Sequence, residues 1–247
     1  MFALRTRIKK EIVTEFLPPK VRSNKVIVLC GGLPGYPSRT DLMFALAKRG
    51  YWVFVPRYRG SWESSGKLFA KSPHQDILDL IDQLPRGFRD LGSDRIHKIR
   101  NPRVYLVGSS FGGPAVLLAS KDPRVKKVLA LSPVVDWRAE NRDEPITQMG
   151  RSVATEFGEG YRVAPRGWER LGAGKLYNPA LALNLIDGKK ILIIHAKDDD
   201  TVGFAPTKKF ARDTGCTLLP LRTGGHLGLG LLEKPKFWKI TKKFFGK

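Results

Sequence analysis

Only two cysteines, Cys30 and Cys216, occur in 247 residues, too few for a disulfide framework. Each lies in an apolar, strand-like run, where a buried free thiol is the simple reading. No run of about 18 apolar residues is present, so no transmembrane helix is expected. The N-terminal segment MFALRTRIKKEIVTEF lacks the apolar core of a secretory signal, and a cytoplasmic protein is expected. Neither a Walker-type loop nor a Cys/His cluster with ligand spacing is found, so no cofactor and no metal is expected.

Acid is also scarce. Lys and Arg number 44 against 23 Asp and Glu, a net charge of +21. A field of that sign attracts nucleic acid, acidic lipid or anionic substrates. Residues 1–25 carry seven basic and two acidic side chains, and residues 234–247 carry six lysines and no acid. The remaining charge is dispersed, and no helix-turn-helix, RNP or zinc pattern accompanies it. No specific nucleic-acid partner is expected.

What is present is an alternation of short apolar runs with helical patterns, the mark of a largely parallel sheet. The runs are Lys25–Cys30, Trp52–Val55, Arg103–Val107, Val125–Leu131, Lys190–His195 and Thr217–Leu221. Several are nearly continuous in Val, Ile and Leu, as strands covered on both faces require. Ile8–Leu17 reads as an edge strand or hairpin arm, ended by two prolines. Thr40 or Asp41 caps a helix over Leu42–Lys48. Ser72-Pro73-His74-Gln75 matches a capping box ahead of Ile77, Leu80, Ile81 and Leu84. Ser110–Ser120 reads as a short helix, and Phe237, Ile240, Thr241 and Phe244 mark a final one. Residues 137–188 break the alternation and read as a small, mostly helical, lid-like insertion within a single domain over 1–247.

Gly108-Ser109-Ser110-Phe111-Gly112 is a G-x-S-x-G sequence between a predicted strand and a predicted helix. A serine on a strained strand-to-helix turn needs small neighbours two places before and after it. Its hydroxyl also needs a base, and the base needs an orienting group. Of four histidines, His74 and His97 read as surface residues and His195 as a structural residue ending a strand. His226 lies in Thr223-Gly224-Gly225-His226-Leu227-Gly228, a glycine-flanked loop after the last strand. Asp198, Asp199 and Asp200 follow the strand ending at His195, and one of them can serve the imidazole. Asp136, also past a strand, is a reserve candidate for the acid.

These motifs resemble the α/β-hydrolase superfamily, closest to dienelactone-hydrolase and prolyl-oligopeptidase-type catalytic domains. Cys30-Gly31-Gly32-Leu33-Pro34-Gly35 is similar to the family's H-G-x-x-G, with glycine for histidine. Tyr58-Arg59-Gly60-Ser61-Trp62 resembles its R-G-x-G loop, with Trp62 in place of the second glycine. The acid loop H-G-x-x-D-x-x-V, aligned on His195 and Val202, implies Asp199 as the acid, with Ala196 in place of the usual glycine. The resemblance runs from about Lys25 to Phe245. It implies an α/β-hydrolase fold, a mostly parallel central sheet with helices on both faces. It also implies a triad of Ser110, Asp199 and His226, and an oxyanion hole of the Leu33 and Phe111 backbone N–H groups. The expected activity is hydrolysis of small or medium carboxylic esters through an acyl-enzyme. A serine peptidase acting on short peptides is the alternative, with Glu63 as a handle for a terminal charge. A non-catalytic scaffold binding an anionic partner is a third reading. Tyr36, Trp62 and Trp137 are the candidate substrate-binding residues, with Phe157, Tyr161 and Trp168 as further aromatic residues near the pocket or packing the insertion.

Overall fold

A computed structural model describes residues 3–36, 40–139 and 146–246. The chain runs β1 (Leu4–Ile8), β2 (Ile12–Leu17), β3 (Lys25–Cys30), α1 (Thr40–Lys48), β4 (Trp52–Pro56) and α2 (His74–Gln83). It continues through β5 (Phe88–Arg89), β6 (Ile96–His97), β7 (Arg103–Ser109), α3 (Gly112–Leu118), β8 (Val125–Leu131), α4 (Ile146–Phe157) and α5 (Gly167–Gly172). The last elements are β9 (Ile191–Ala196), α6 (Phe204–Thr214), β10 (Thr217–Leu221) and α7 (Pro235–Phe245).

Eight strands form one sheet in the order β1-β2-β4-β3-β7-β8-β9-β10, and β5 with β6 makes a separate hairpin. From β4 to β10 the neighbours are parallel. The two outer strands, β1 and β2, are antiparallel. The Ile8–Leu17 run is therefore split: Lys9 and Lys10 turn through φ of 50° and 61°, and β2 alone carries its apolar half.

The parallel strands are apolar throughout because helices cover both faces. On one face α1 and α7 bring Leu42, Met43, Leu46 and Phe245 against Ile27, Leu29, Val107 and Leu131. On the other, α2, α3 and α6 bring Ile77, Leu80, Val116 and Phe210 against Val28, Leu106 and Ile193. Fully burying each such side chain contributes about 1.5–3 kcal/mol, so these two layers fix the sheet. Cys30 and Cys216 are buried free thiols.

Two histidines differ from the sequence reading. His74 and His97 are buried rather than on the surface. His97 stacks on Phe88 and meets Phe16 and Trp52 edge-on. At α2 the capping box does not form: Pro73 precedes the helix with no side-chain cap, and Ser72 Oγ is spent on His74 Nδ1 at 2.8 Å. Helices α4 and α5 fall within 137–188, of which residues 140–145 lie outside the described part. Backbone bridges join Ser61 to Tyr161 and Leu68 to Val163, so this segment is stitched to the loop after β4.

The strand order reverses at β3. The chain goes from β3 to β4 on one side and later returns to β7 on the other. In such sheets the crevice opens at the carboxyl ends of the strands where the order switches. Here that is where Gly31–Leu33 leaves β3 and Ser110 leaves β7.

Candidate active site

Ser110 directly follows β7 and takes φ of 51°, the left-handed region a non-glycine residue adopts only under constraint. The constraint is visible: Ser110 N–H donates to Leu131 O at 3.0 Å, and Gly113 N–H donates back to Ser110 O at 2.9 Å. A Cβ on Gly108 would lie 2.4 Å from Gly112 O, and one on Gly112 would lie 2.1 Å from Cys30 O. The two glycines thus let the start of α3 sit on the end of β3. That contact brings the loop after β3 to the serine, since a Cβ on Gly32 would be 3.7 Å from Ser110 Oγ. Leu33 and Phe111, the residues implied for the oxyanion hole, are both buried beside this junction.

The aspartate run divides its work among three side chains. Asp199 accepts from His226 Nδ1, which is 3.1 Å from each carboxylate oxygen. Asp198 accepts instead from the backbone of the histidine loop, Gly224 N–H at 3.2 Å and Gly225 N–H at 2.9 Å. Asp200 remains near its own neighbour, with Thr201 Oγ1 at 3.3 Å. A third tie holds the loop beyond the imidazole, where Leu227 N–H donates to Ser132 Oγ at 3.1 Å.

Asp199 is itself over-determined. Its side chain is fully buried, and Oδ1 accepts from the N–H groups of Thr201 at 3.1 Å and Val202 at 2.9 Å. His195 Nε2 stands 3.1 Å from Oδ2 and 2.9 Å from Val202 O, while its Nδ1 is 3.0 Å from Thr207 Oγ1. Burial alone would raise the Asp199 carboxyl. Hydrogen bonds from His195, His226, Ser132 and Val202 outweigh it and hold the group well below the usual carboxylate range. His195, read from sequence as structural, therefore touches the acid. The signal was the single-turn interval from His195 to Asp199 past a strand end, which brings both side chains to one loop.

Asp136 and Arg138 line the cavity at Ser110, and Asp136 does not meet the imidazole. Its carboxylate takes Arg138 Nε and Nη2 at 3.0 and 2.9 Å and Asn178 Nδ2 at 2.8 Å. Arg138 is the main cause that lowers its pKa to about 2. Glu63 is likewise engaged, by the buried Arg57 guanidinium and by Arg5, and does not present a free carboxylate.

A cavity of about 510 Å³ opens at Ser110, walled by Phe111, Val135, Trp137, Met149, Val202 and Pro206. Trp137 is thus at the pocket, with Nε1 donating to Tyr177 O at 2.7 Å. Tyr36 and Trp62 are not part of its wall. They pack 5.5 Å apart beside the loop after β3, with Phe157 and Tyr161 completing the cluster. The space they line, with Gly32 and Leu33, is only about 50 Å³. Trp168 packs on Phe69 at 5.1 Å. Among the described residues no group of three or more His, Cys, Asp or Glu is placed to hold a metal ion, and no helix is long and apolar enough to cross a membrane.

Several solved structures share this architecture. The acylaminoacyl peptidase of Pyrococcus horikoshii aligns with a TM-score of 0.65 at 21% identity, covering 100% of this chain and 42% of that one. DcsB, solved with its substrate analogue, aligns at 0.69 and 16% identity over 99% of this chain and 98% of its own. XC6422 of Xanthomonas campestris, an α/β serine hydrolase without a lid, aligns at 0.57 and 13% identity over 91% and 85%. The chain spans less than half the length of the peptidase, and at these identities the likeness is one of fold. Among proteins of curated function none matches the sequence. The family model of the prolyl oligopeptidase family matches residues 38–214, a span that holds Ser110 and Asp199 and stops short of His226. The chain has the fold of the α/β serine hydrolases and belongs to the prolyl oligopeptidase family.

Proposed function

We propose that this chain hydrolyses acyl bonds of short, N-blocked peptides through a triad of Ser110, His226 and Asp199. The observation that carries the reading is the Asp199–His226 hydrogen bond at 3.1 Å, on the same sheet edge as a strained Ser110 that opens into an apolar cavity. His226 takes the Ser110 proton as Oγ attacks the carbonyl carbon, and Asp199 fixes the Nδ1–H tautomer and offsets the imidazolium. The Leu33 and Phe111 N–H groups receive the developing oxyanion. Losing one such donor costs ~100- to 1000-fold in rate. His226 then returns the proton to the leaving nitrogen, and water repeats the sequence on the acyl-enzyme.

Family membership favours a peptide substrate. The blocked N-terminus follows from the site's acids. Asp136, the one carboxylate on the cavity wall, is occupied by Arg138, so no free carboxylate among the lining residues awaits an α-amine. The cavity wall beside Ser110 is mostly apolar, which suits an uncharged apolar residue. Esters with the same acyl group enter the same cavity, and this is the second reading.

A fluorophosphonate probe, blocked and free aminoacyl-p-nitroanilides, and p-nitrophenyl esters test both. Turnover of blocked anilides that disappears in Ser110→Ala is the expected result. Turnover of esters alone selects the second reading. Failure of the probe to label Ser110 rejects both.

A further inference from the structure

A second concavity, of about 660 Å³, lies at the other end of the sheet. Its walls are the segment leading into β3, the start of β4 at Trp52, and the segment from β6 toward β7. Four cations line it, Lys20, Arg22, Lys98 and Arg100, with no acidic residue among its walls. All four are exposed, and none forms an ion pair among the described residues. By contrast, the buried or half-buried Arg57 and Arg59 each face a carboxylate.

The frame around these cations is fixed. Asn24 Nδ2 donates to Asn101 O at 2.8 Å, and Arg103 N–H donates to Asn24 O at 2.9 Å, tying the two segments together. Trp52 Nε1 donates to Ser23 O at 3.0 Å, and its ring is held edge-on by Phe88 and His97. The half-buried indole gives the groove a flat apolar wall. Four like charges around one concavity repel one another, and a multivalent anion relieves that cost.

We propose that this groove binds a small ligand carrying two or more phosphate groups, its phosphates among Lys20, Arg22, Lys98 and Arg100 and any ring against Trp52. A free nucleotide and an inorganic polyphosphate share this chemistry. β7 has seven residues, which puts about 20 Å between the groove and Ser110. Binding therefore leaves the hydrolytic site open, and the proposal stands independently of the hydrolase reading.

The test is calorimetry of the whole protein with ATP, inorganic tripolyphosphate and monophosphate at low and moderate salt. The expected result is one saturable site for the first two, weakened by salt, and at least about tenfold weaker binding of monophosphate. Lys98→Glu with Arg100→Glu weakens binding at least about tenfold, and the milder Lys98→Gln with Arg100→Gln weakens it less. Lys208→Glu with Lys209→Glu removes the same net charge from exposed positions of α6, which packs on β9 and β10 away from the groove, and changes affinity less than about twofold. Tighter binding of ATP than of tripolyphosphate, lost in Trp52→Leu, identifies the nucleotide; equal binding identifies the phosphate chain. Either result upholds the site. Absence of saturable binding, or equal weakening by the two charge reversals, overturns it in favour of a diffuse basic surface.

Discussion

Replacing Asp199 by asparagine tests the proposed relay most directly, because the structure says which hydrogen bonds survive. Thr201 and Val202 N–H both donate to Oδ1, and the amide oxygen of asparagine accepts them equally well. The amide NH2 then takes the place of Oδ2, where His226 Nδ1 and His195 Nε2 each approach at 3.1 Å. Donor now meets donor, and Oδ1, also 3.1 Å from Nδ1, is already taken by two backbone N–H groups. His226 resolves the conflict by moving its proton to Nε2, the nitrogen that must be bare to accept from Ser110. The expected loss in kcat is about 10⁴-fold, or about 5 kcal/mol of transition-state stabilisation, with KM little changed. Loss of a charge-assisted hydrogen bond in a buried setting costs about 2 kcal/mol of stability, a Tm decrease on the order of 5 °C for a chain of this size. Steady-state hydrolysis of a blocked aminoacyl-p-nitroanilide measures the first quantity, with fluorophosphonate titration fixing the active fraction. Asp136→Asn is the companion variant. Its carboxylate holds Arg138 and Asn178 rather than an imidazole, so kcat falls less than about threefold. Retention of more than about a tenth of kcat in Asp199→Asn, or a larger loss in Asp136→Asn, refutes the assignment.

Other consequences are equally concrete. Asp198→Ala frees the Gly224 and Gly225 N–H groups just before the base; kcat falls about tenfold while Tm moves by only a degree or two, because Asp198 is exposed. An unchanged kcat would show that Ser132 and Asp199 suffice to hold the loop. Gly112→Ala drives a methyl into Cys30 O, so soluble yield and Tm drop, with a cost of about 3 kcal/mol or more; a normal melt in that variant contradicts the packing at the serine turn. Burial lowers His74 from its ordinary 6.5 to about 4. The unfolded chain therefore binds the proton first. Stability from this group is complete above pH 6.5 and is lost as the pH falls through 4, by up to about 3 kcal/mol. Melts across that interval check it, and His74→Gln flattens the decline.

The strands were legible because parallel strands covered on both faces are written as unbroken Val, Ile and Leu. Val125–Leu131 and Thr217–Leu221 come out with the bounds read from sequence. The turn that splits β1 from β2 was hidden, since Lys9 and Lys10 at positive φ carry none of the usual glycine or asparagine signal. Histidine burial was illegible for a related reason. His74 and His97 sit in polar local sequence, and only the packing of α2 and the β5–β6 hairpin against the sheet covers them. Within the candidate site, the glycines around Ser110 announced the turn through backbone sterics. What the three adjacent aspartates do depends on a loop 24 to 28 positions away in the chain, and no local pattern records that. The aromatic residues Tyr36 and Trp62 illustrate the limit for binding residues: side-chain type marks packing and recognition alike, and only the cavity's shape separates them.

The placement of His226 after β10 has a temporal consequence. Ribosomes release a chain in sequence order, so Ser110 and Asp199 emerge before His226, the proposed base. α7, which lays Phe245 on Tyr105 at 4.6 Å, emerges later still and closes one face of the sheet. On the proposed mechanism, the growing chain therefore lacks the group that would take the Ser110 proton until the loop after β10 has been made.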